Sequence, residues 1–122
     1  MSLNAPHSPF NVPKEYYELY ENESDLLESQ KRFYGMITNI DDNFGRLHQN
    51  VKSLGILDNT IIIFTTDNGT SNGYKYSKKD KKWLGFNAGM RGTKTSEYDG
   101  GHRVPFIIKW KKGGLFGGHS YS

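Results

Sequence analysis

The sequence predicts an α/β fold in which one long helix packs against a small sheet. Two observations support this: apolar residues recur with helical spacing in the first half of the chain, and two short runs of β-branched and aromatic residues follow in the second. Elements with such apolar faces pack in layers around a core. The composition agrees, because 34% hydrophobic and 24% charged residues are ordinary for a globular protein.

The first half of the chain predicts a short helix and a long one. The short helix starts within Val12-Pro13-Lys14-Glu15, because proline suits the first helical position. Ser24 can cap the long helix, and Gly55 suits its left-handed stop. Its polar side, which includes Asp41 and Asp42, faces solvent. Its apolar stripe alternates spacings of four and three residues and comprises Phe33, Ile37, Ile40, Phe44, Leu47, Val51 and Leu54.

The second half predicts two strands separated by a long irregular segment. Residues 60–66 form a continuous β-branched run, which is typical of a strand buried on both faces of a parallel sheet. Residues 104–110 predict the second strand, with Pro105 tolerable near its start. Residues 69–103 show no convincing periodic element. Two strands and one long helix cannot cover both faces of a sheet, so we expect further sequence, or alternatively self-association, to cover them.

The charge and the cysteine count restrict the function classes. Five lysines and one aspartate give residues 75–82 a charge of +4, so the rest of the chain carries −1 and the net charge of +3 comes from this segment. A solvated lysine-rich loop is the expected interpretation, and no nucleic-acid partner is predicted. The absence of cysteine excludes disulfides, thiolate metal sites and a cysteine nucleophile. No signal peptide or membrane-spanning segment is visible, and the compartment stays unknown.

Oxygen donors follow directly after the first predicted strand. Ligands of open α/β sheets bind beyond the carboxyl ends of strands, and Asp67, Asn68 and Gly69 occupy that position. A carboxylate and an amide oxygen suit a hard cation such as Ca²⁺ or Mg²⁺. Asp-Asn-Gly is also a favoured turn sequence, so local evidence leaves both interpretations open.

A second group of residues combines glycines with cationic side chains. It comprises residues 89–94, which include Arg91 and Lys94, and residues 97–105, which include Gly100, Gly101 and Arg103. Glycines let a loop approach an anion closely, and arginine and lysine supply positive charge. A flexible surface loop is the alternative interpretation of the same residues.

Taken together and in order, these segments resemble the sulfatase family of the alkaline-phosphatase-like superfamily. The resemblance covers residues 4 to 110, nearly the whole chain. Several ordered motifs are more specific than any one of them alone. The matching segments are Ala5-Pro6-His7-Ser8-Pro9-Phe10, residues 34–54, Leu57-Asp58-Asn59-Thr60, Thr66-Asp67-Asn68-Gly69, Arg91-Gly92-Thr93-Lys94 and residues 98–106.

The resemblance implies a role for four residues. Asp67 and Asn68 are expected to be two of the oxygen ligands of a divalent cation, usually calcium. Lys94 is expected to pair with the sulfate oxygens of the substrate, and His7 to contact the sulfate and assist the leaving oxygen. The implied fold is part of an alkaline-phosphatase-like sheet between helices. The implied substrate of the complete enzyme is a sulfated small molecule or glycan, in an exported, periplasmic or lysosomal setting.

Two departures from the family limit what the chain is expected to do alone. Asp99 stands where the family commonly has glutamate. The family's nucleophile is a formylglycine made from Cys/Ser-x-Pro-Ser-Arg, which this sequence lacks, as it lacks the Asp pair that completes the cation site. Asp41 and Asp42 are helix-surface residues and cannot replace that pair. We therefore expect residues 1–122 to be an incomplete catalytic domain without the N-terminal nucleophile region, inactive alone and with only half a cation site.

Two competing functions remain at this point. The first is a phosphoesterase or phosphonate-ester hydrolase of the same superfamily, since aspartate and lysine serve phosphate equally well. The second is a non-catalytic module that binds polyanions through the lysines of residues 75–82.

Overall fold

A computed structural model describes residues 3–116 and residue 118. Two helices come first, followed by three strands, a short helix and a fourth strand. Two single 3₁₀ turns, Leu57–Asn59 and Lys111–Gly113, precede the first strand and follow the last. The helices are α1 (Lys14–Glu18), α2 (Glu28–Ser53) and α3 (Asp99–His102), and the strands are β1 (Ile62–Thr65), β2 (Tyr74–Ser77), β3 (Lys82–Gly85) and β4 (Phe106–Lys109). The described residues contain no helix that is both long and apolar enough to span a membrane.

Helix α2 confirms the predicted long helix but not its predicted start. Gly55 has φ +71°, the left-handed conformation expected of the residue that stops a helix. The N-terminal cap is Leu27 rather than Ser24. The side chain of Gln30 determines this start, because its Oε1 accepts a hydrogen bond from the Leu27 backbone N–H at 2.8 Å. The capping interaction therefore comes from inside the helix, as in the second half of a capping box.

Strands β1 and β4 pair antiparallel, so the prediction of a parallel sheet was wrong. Ile62 is opposite Lys109 and Thr65 is opposite Phe106. Along β1, half-buried and exposed residues alternate, with Ile63 54% exposed. A continuous apolar run indicates only that both faces of a strand are to be covered, and it does not specify the direction of the partner strand.

The apolar stripe of α2 is covered along only part of its length. Phe33 and Met36 are buried, and the Phe44 ring packs edge-on against Phe64 of β1 with 5.7 Å between centroids. Toward the C-terminal end the stripe is open, and Leu54 is 71% exposed. On the sheet, Phe106 is 66% exposed. Large apolar side chains are therefore left uncovered by the described residues.

Residues 69–103 contain a β-hairpin, which the sequence analysis did not predict. Strand β2 pairs antiparallel with β3, and Tyr76 lies opposite Trp83. The connecting turn is held by Ser77, whose hydroxyl donates to the Asp80 carboxylate at 2.7 Å and accepts from the Asp80 N–H. The lysine-rich segment is therefore this turn and the adjoining strand residues. Leu84 anchors the hairpin, since it is buried and its carbonyl accepts a hydrogen bond from Gln30 of α2.

Candidate active site at the end of the sheet

The antiparallel pairing of β1 and β4 places two of the predicted segments at the same end of the sheet. Asp67 and Asn68 follow the end of β1, and helix α3 precedes the start of β4. In an antiparallel pair, the end of one strand lies beside the start of the other. The loop after β1 therefore meets the turn before β4, and the Gly69 N–H donates to the Gly101 carbonyl at 2.9 Å.

Close backbone packing requires glycine at two positions here, Gly69 and Gly100. A Cβ atom on Gly69 would overlap the carbonyl oxygen of Gly100, and a Cβ atom on Gly100 would overlap the carbonyl oxygen of Gly92. Both obstacles are backbone atoms, which cannot rotate away as a flexible side chain can. The glycines predicted to shape the turn before the second strand do so, and Gly100 and Gly101 are buried.

The loop that carries Lys94 is fixed to the same structure. The Lys94 N–H donates to the Thr70 carbonyl at 2.9 Å, and the Gly100 N–H donates to the Arg91 carbonyl at 2.8 Å. The buried amide of Asn87 donates to the Gly92 carbonyl at 2.8 Å. Two backbone hydrogen bonds and one side-chain hydrogen bond thereby fix the loop of residues 91–94 to Thr70, Asn87 and Gly100. Lys94 is half-buried in this loop.

The oxygen donors of this site are free to bind a cation. Asp67 is exposed and Asn68 half-buried. The Asn68 amide donates through Nδ2 to the Gly69 carbonyl at 2.9 Å, which leaves its Oδ1 as an acceptor. Within residues 3–116, no hydrogen bond or ion pair occupies that oxygen or the Asp67 carboxylate. The donor set fits a hard cation, although the described residues hold no cluster of three acidic, histidine or cysteine ligands.

His7 lies in the N-terminal segment, outside this set of bonded loops. It is exposed, and its Nδ1 lies 2.8 Å from the Ser8 carbonyl oxygen. Because a carbonyl can only accept, this contact places the hydrogen on Nδ1 and leaves Nε2 available. In the part of the chain that the structure describes, no hydrogen bond or ion pair joins His7 to Asp67, Asn68 or Lys94.

Arg103 and Asp99 interact with each other. The Arg103 guanidinium lies 3.8 Å from the Asp99 carboxylate, one helical turn away in the short helix α3. Both side chains are exposed. The Asp99 that replaces the family's usual glutamate thus lies in the first turn of α3, where a carboxylate is favourable.

One feature of the site region was missed from the sequence. A cavity of about 470 Å³ lies between the β-hairpin and the Arg91 loop, and Tyr74, Tyr76 and Trp83 are among its lining residues. The available signal was the alternation of aromatic and polar residues on either side of a polar turn, which is typical of a hairpin. The high lysine content of the segment obscured it.

The comparison with protein families decides the assignment. The sequence profile of the family described as Sulfatase matches residues 1–115. The chain belongs to the sulfatase family. This sulfatase chain is 29% identical over 155 aligned residues to an arylsulfatase of Clostridium perfringens, covering 95% of the chain and 29% of that relative. It is 37% identical over 78 residues to the N-acetylgalactosamine-6-O-sulfatase of Bacteroides thetaiotaomicron, covering 62% of the chain and 15% of the relative.

Solved structures agree with this family assignment. The chain superimposes on the crystal structure of Ps i-CgsB with a TM-score of 0.71 and 31% identity, covering 90% of the chain and 22% of that structure. The same protein in complex with k-i-k-neocarrahexaose gives a TM-score of 0.68. The predicted alkaline-phosphatase-like α/β fold, with one long helix and a few strands, is confirmed.

The sulfatase chain is short relative to its relatives. It spans less than a third of the length of each of the two curated relatives above. Sulfatases are hydrolases that generally use a metal ion and a formylglycine. The 122 residues contain neither cysteine nor a Ser-x-Pro-Ser-Arg sequence from which a formylglycine could be made.

Proposed function

We propose that residues 1–122 form the cation-binding and sulfate-binding part of a sulfatase catalytic domain, and that the complete enzyme hydrolyses sulfate monoesters of glycans. One observation carries this proposal: the Asp67 loop and the Lys94 loop meet through the Lys94 to Thr70 and Gly69 to Gly101 hydrogen bonds. A cation site and a sulfate-binding lysine must lie side by side, because both act on the oxygens of one sulfate group.

Each of the four residues has a distinct task in this proposal. In hydrolysis of a sulfate monoester, water supplies the oxygen that replaces the alcohol oxygen on sulfur, and the alcohol leaves with a proton. Lys94 pairs with the sulfate oxygens and holds the group in position. His7 provides a proton to the leaving oxygen through a ring nitrogen. Asp67 and Asn68 hold a Ca²⁺ or Mg²⁺ ion, which when bound supplies positive charge opposite the sulfate.

The glycan class of substrate is supported by the relatives. The Bacteroides thetaiotaomicron relative is named for N-acetylgalactosamine 6-O-sulfate, another is an ulvan-active sulfatase of Formosa agariphila, and one neighbouring structure holds a neocarrahexaose. The two motifs Arg91-Gly92-Thr93-Lys94 and Gly100 to Pro105 favour sulfate over phosphate esters.

In this proposal, residues 1–122 supply only part of the catalytic site. Other parts of the domain supply the nucleophile, the remaining cation ligands and the cover for the apolar faces of α2 and the β1–β4 sheet. A calcium site needs six or more oxygens, and two side chains leave most positions to water. We therefore propose that the isolated chain binds cations with an affinity weaker than about 1 mM and does not hydrolyse sulfate esters.

Weak cation binding can be tested by paramagnetic line broadening with Mn²⁺, which takes the same oxygen ligands as Ca²⁺ and Mg²⁺. In ¹⁵N–¹H spectra of the isolated chain, Mn²⁺ should broaden the amide signals of Gly69 and Thr70 first. Asp67→Asn should remove this broadening. The matched control is Asp41→Asn, because Asp41 belongs to an exposed carboxylate pair on α2. Preferential broadening around Asp41 that survives Asp67→Asn would contradict the cation site.

The catalytic part of the proposal has its own measurement. The isolated chain, incubated with Ca²⁺ and an aryl sulfate, should release no more product than buffer alone, because it lacks the nucleophile motif. If the isolated chain released product in a metal-dependent reaction that Lys94→Gln abolishes, the chain would be catalytically active alone. That result would contradict the proposal that other parts of the domain supply the nucleophile. A phosphate monoester in parallel would identify a phosphoesterase by preferential hydrolysis.

A further inference from the structure

The β2–β3 hairpin presents three aromatic side chains on one face. Side chains alternate between the faces of a strand, so Tyr74 and Tyr76 lie on the same face, and Trp83 is the cross-strand partner of Tyr76. The Tyr74 and Trp83 rings are stacked, with 4.6 Å between centroids and 12° between planes. Tyr76 meets Trp83 edge-on at 5.5 Å. The three rings form a cluster, which we call the aromatic face.

Among residues 3–116, the aromatic face does not pack into the core. The opposite face of the hairpin carries Leu84 and Ser77, which are both buried, and the Leu84 carbonyl accepts a hydrogen bond from Gln30 of α2. Trp83 is 56% exposed and Tyr76 is 50% exposed. Burying a large aromatic side chain is strongly favourable, so three rings gathered on the outer face of a hairpin indicate a surface built for contact with a ligand.

The aromatic face forms one wall of the 470 Å³ cavity. The opposite wall is the loop of Arg91, Gly92 and Thr93, and Ser71 also lines the cavity. Thr93 directly precedes Lys94, and Ser71 directly follows Thr70, the residue whose carbonyl is bonded to Lys94. Adjacent residues are about 3.8 Å apart. The cavity therefore begins within one residue of the proposed sulfate site.

Positive charge lines the cavity through Arg91 and is also present in the nearby hairpin turn. The Arg91 guanidinium lies over the Tyr98 ring at 3.5 Å, an arrangement that fixes its plane while its N–H groups stay available to an anion. The hairpin turn adds Lys78, Lys79 and Lys81. In the ranges that the structure describes, none of these four cations is in an ion pair.

We propose that the cavity is a second carbohydrate subsite, which binds the sugar ring next to the one whose sulfate is cleaved and prefers a ring that itself carries a sulfate. This inference rests on the proposed function, since it takes the Lys94 loop as the sulfate site. The apolar C–H face of a pyranose ring packs against Trp83 and Tyr76. The sulfate of that ring pairs with the Arg91 guanidinium, and the turn lysines attract the polyanionic chain.

The test uses the two tryptophans of the chain as reporter and internal reference. The isolated, ¹⁵N-labelled chain is titrated with a sulfated carrageenan hexasaccharide, with its desulfated counterpart and with inorganic sulfate. The Trp83 indole N–H signal should shift with the sulfated hexasaccharide, and the Trp110 indole signal should not. The desulfated hexasaccharide should bind at least about tenfold more weakly, because it loses the pairing with Arg91.

Two substitutions of Trp83 test whether the aromatic ring itself contributes to hexasaccharide binding. Trp83→Ala should weaken hexasaccharide binding at least about tenfold, as buried aromatic anchors do, while Trp83→Phe should retain most of it. Phe86→Ala is the matched control, because Phe86 is an exposed aromatic at 75% and does not line the cavity. Circular dichroism of each variant verifies that the hairpin and α2 are intact.

The outcomes separate this inference from the function on which it rests. Equal affinity for inorganic polyphosphate, with shifts confined to the turn lysines and none at Trp83, would overturn the subsite in favour of a general polyanion surface. Hexasaccharide binding unaffected by Trp83→Ala would overturn it too. If Mn²⁺ binds at Asp67 while Trp83 does not respond, only the subsite fails. If Trp83 responds while Mn²⁺ binds elsewhere, the proposed cation site fails and the carbohydrate site stands.

Discussion

Replacing Gly69 with alanine tests whether the site depends on the close meeting of two backbone segments. The new methyl group would overlap the carbonyl oxygen of Gly100. Overpacking of this kind costs about 1–3 kcal/mol, because the backbone has to move. Separating the segments also breaks the 2.9 Å hydrogen bond from Gly69 to Gly101, worth about 1 kcal/mol net. We expect Gly69→Ala to lower the free energy of unfolding by about 2–4 kcal/mol.

Urea unfolding followed by circular dichroism measures this change. With a denaturant slope of about 2 kcal/mol per molar urea, the midpoint should fall by about 1–2 M. The matched control is Gly45→Ala, in an exposed position of α2 where a Cβ atom meets nothing within 4 Å. Alanine is the better helix former, so this variant should raise the free energy of unfolding by about 0.5–1 kcal/mol. Replacing glycine with alanine is thus expected to lower the free energy of unfolding at position 69 and to raise it at position 45.

The refuting result concerns both stability and binding. If Gly69→Ala unfolds within about 0.3 M urea of the parent chain, the two segments do not meet as closely as the structure places them. The same conclusion follows if Mn²⁺ still broadens the Thr70 amide to the same extent, since separated loops should no longer hold the oxygen donors in one orientation.

Two further predictions concern the contacts between α2 and the hairpin. Gln30→Ala should lower the free energy of unfolding, measured in urea, by about 2–4 kcal/mol, because it opens a cavity and leaves the Leu84 carbonyl without its partner. Gln49→Ala, at an exposed position of α2, should change the free energy of unfolding by less than about 0.5 kcal/mol. Equal effects of the two substitutions would contradict a stabilising role for the hydrogen bond between Gln30 and Leu84. Burial of the Tyr34 hydroxyl raises its pKa above the ordinary 10.0, an effect that the hydrogen bond from the Phe86 N–H partly opposes. The free energy of unfolding is therefore retained below about pH 10 and falls as the pH rises through the folded-state pKa, because the unfolded chain releases the proton first. The urea midpoint should fall less steeply with pH in Tyr34→Phe than in the parent chain. Identical pH profiles would contradict a raised pKa for Tyr34 in the folded state.

The sequence predicted the elements that local periodicity specifies. The stripe that includes Phe33 and Phe44 predicted α2, and the left-handed Gly55 predicted its end, because helical spacing and a terminating glycine depend on neighbouring residues only. The start of the helix was placed too early. Ser24 and Gln30 can both accept a hydrogen bond from a backbone N–H at the start of the helix. The helix starts where Gln30 caps it, because Gln30 is buried against the hairpin, and no local sequence pattern specifies that contact.

Strand direction and the hairpin depended on long-range contacts. A β-branched run fits either direction of pairing, and the partner of Ile62 is Lys109, far along the chain. In the hairpin, Lys75 lies between Tyr74 and Tyr76, so the alternation was present, but the accompanying lysines favoured a loop. Its pairing is fixed by the turn at Ser77 and Asp80 and by contacts with α2, which are visible only in three dimensions.

The location of the candidate site was predictable in part because its residues lie near strand ends. Asp67 and Asn68 follow the end of β1 after one residue, and their ligand role, which rested on family resemblance rather than on local pattern, stays a prediction. Their proximity to the Lys94 loop depends on the Lys94 to Thr70 bond, which joins backbone groups and leaves no mark in side-chain composition. His7 was assigned from its motif alone, and its cooperation with Lys94 stays a prediction.

The site is an extension of the sheet, and this couples its geometry to the covering of the sheet. Gly69 lies four residues after Thr65, and Gly101 lies five residues before Phe106, the residue opposite Thr65 in the sheet. The hydrogen bond between Gly69 and Gly101 therefore continues the β1–β4 pairing past the strand ends. Yet β1 and β4 expose Ile63 and Phe106. Local opening of a strand pair with few buried apolar contacts is frequent, and each opening would separate the Asp67 loop from the turn at Gly101. Covering those apolar faces, whether by further sulfatase sequence or by a second chain, should therefore favour the arrangement proposed to bind the cation. The weak affinity proposed for residues 1–122 thus has two causes, too few oxygen ligands and a sheet that opens, and only the first can be changed by adding ligands.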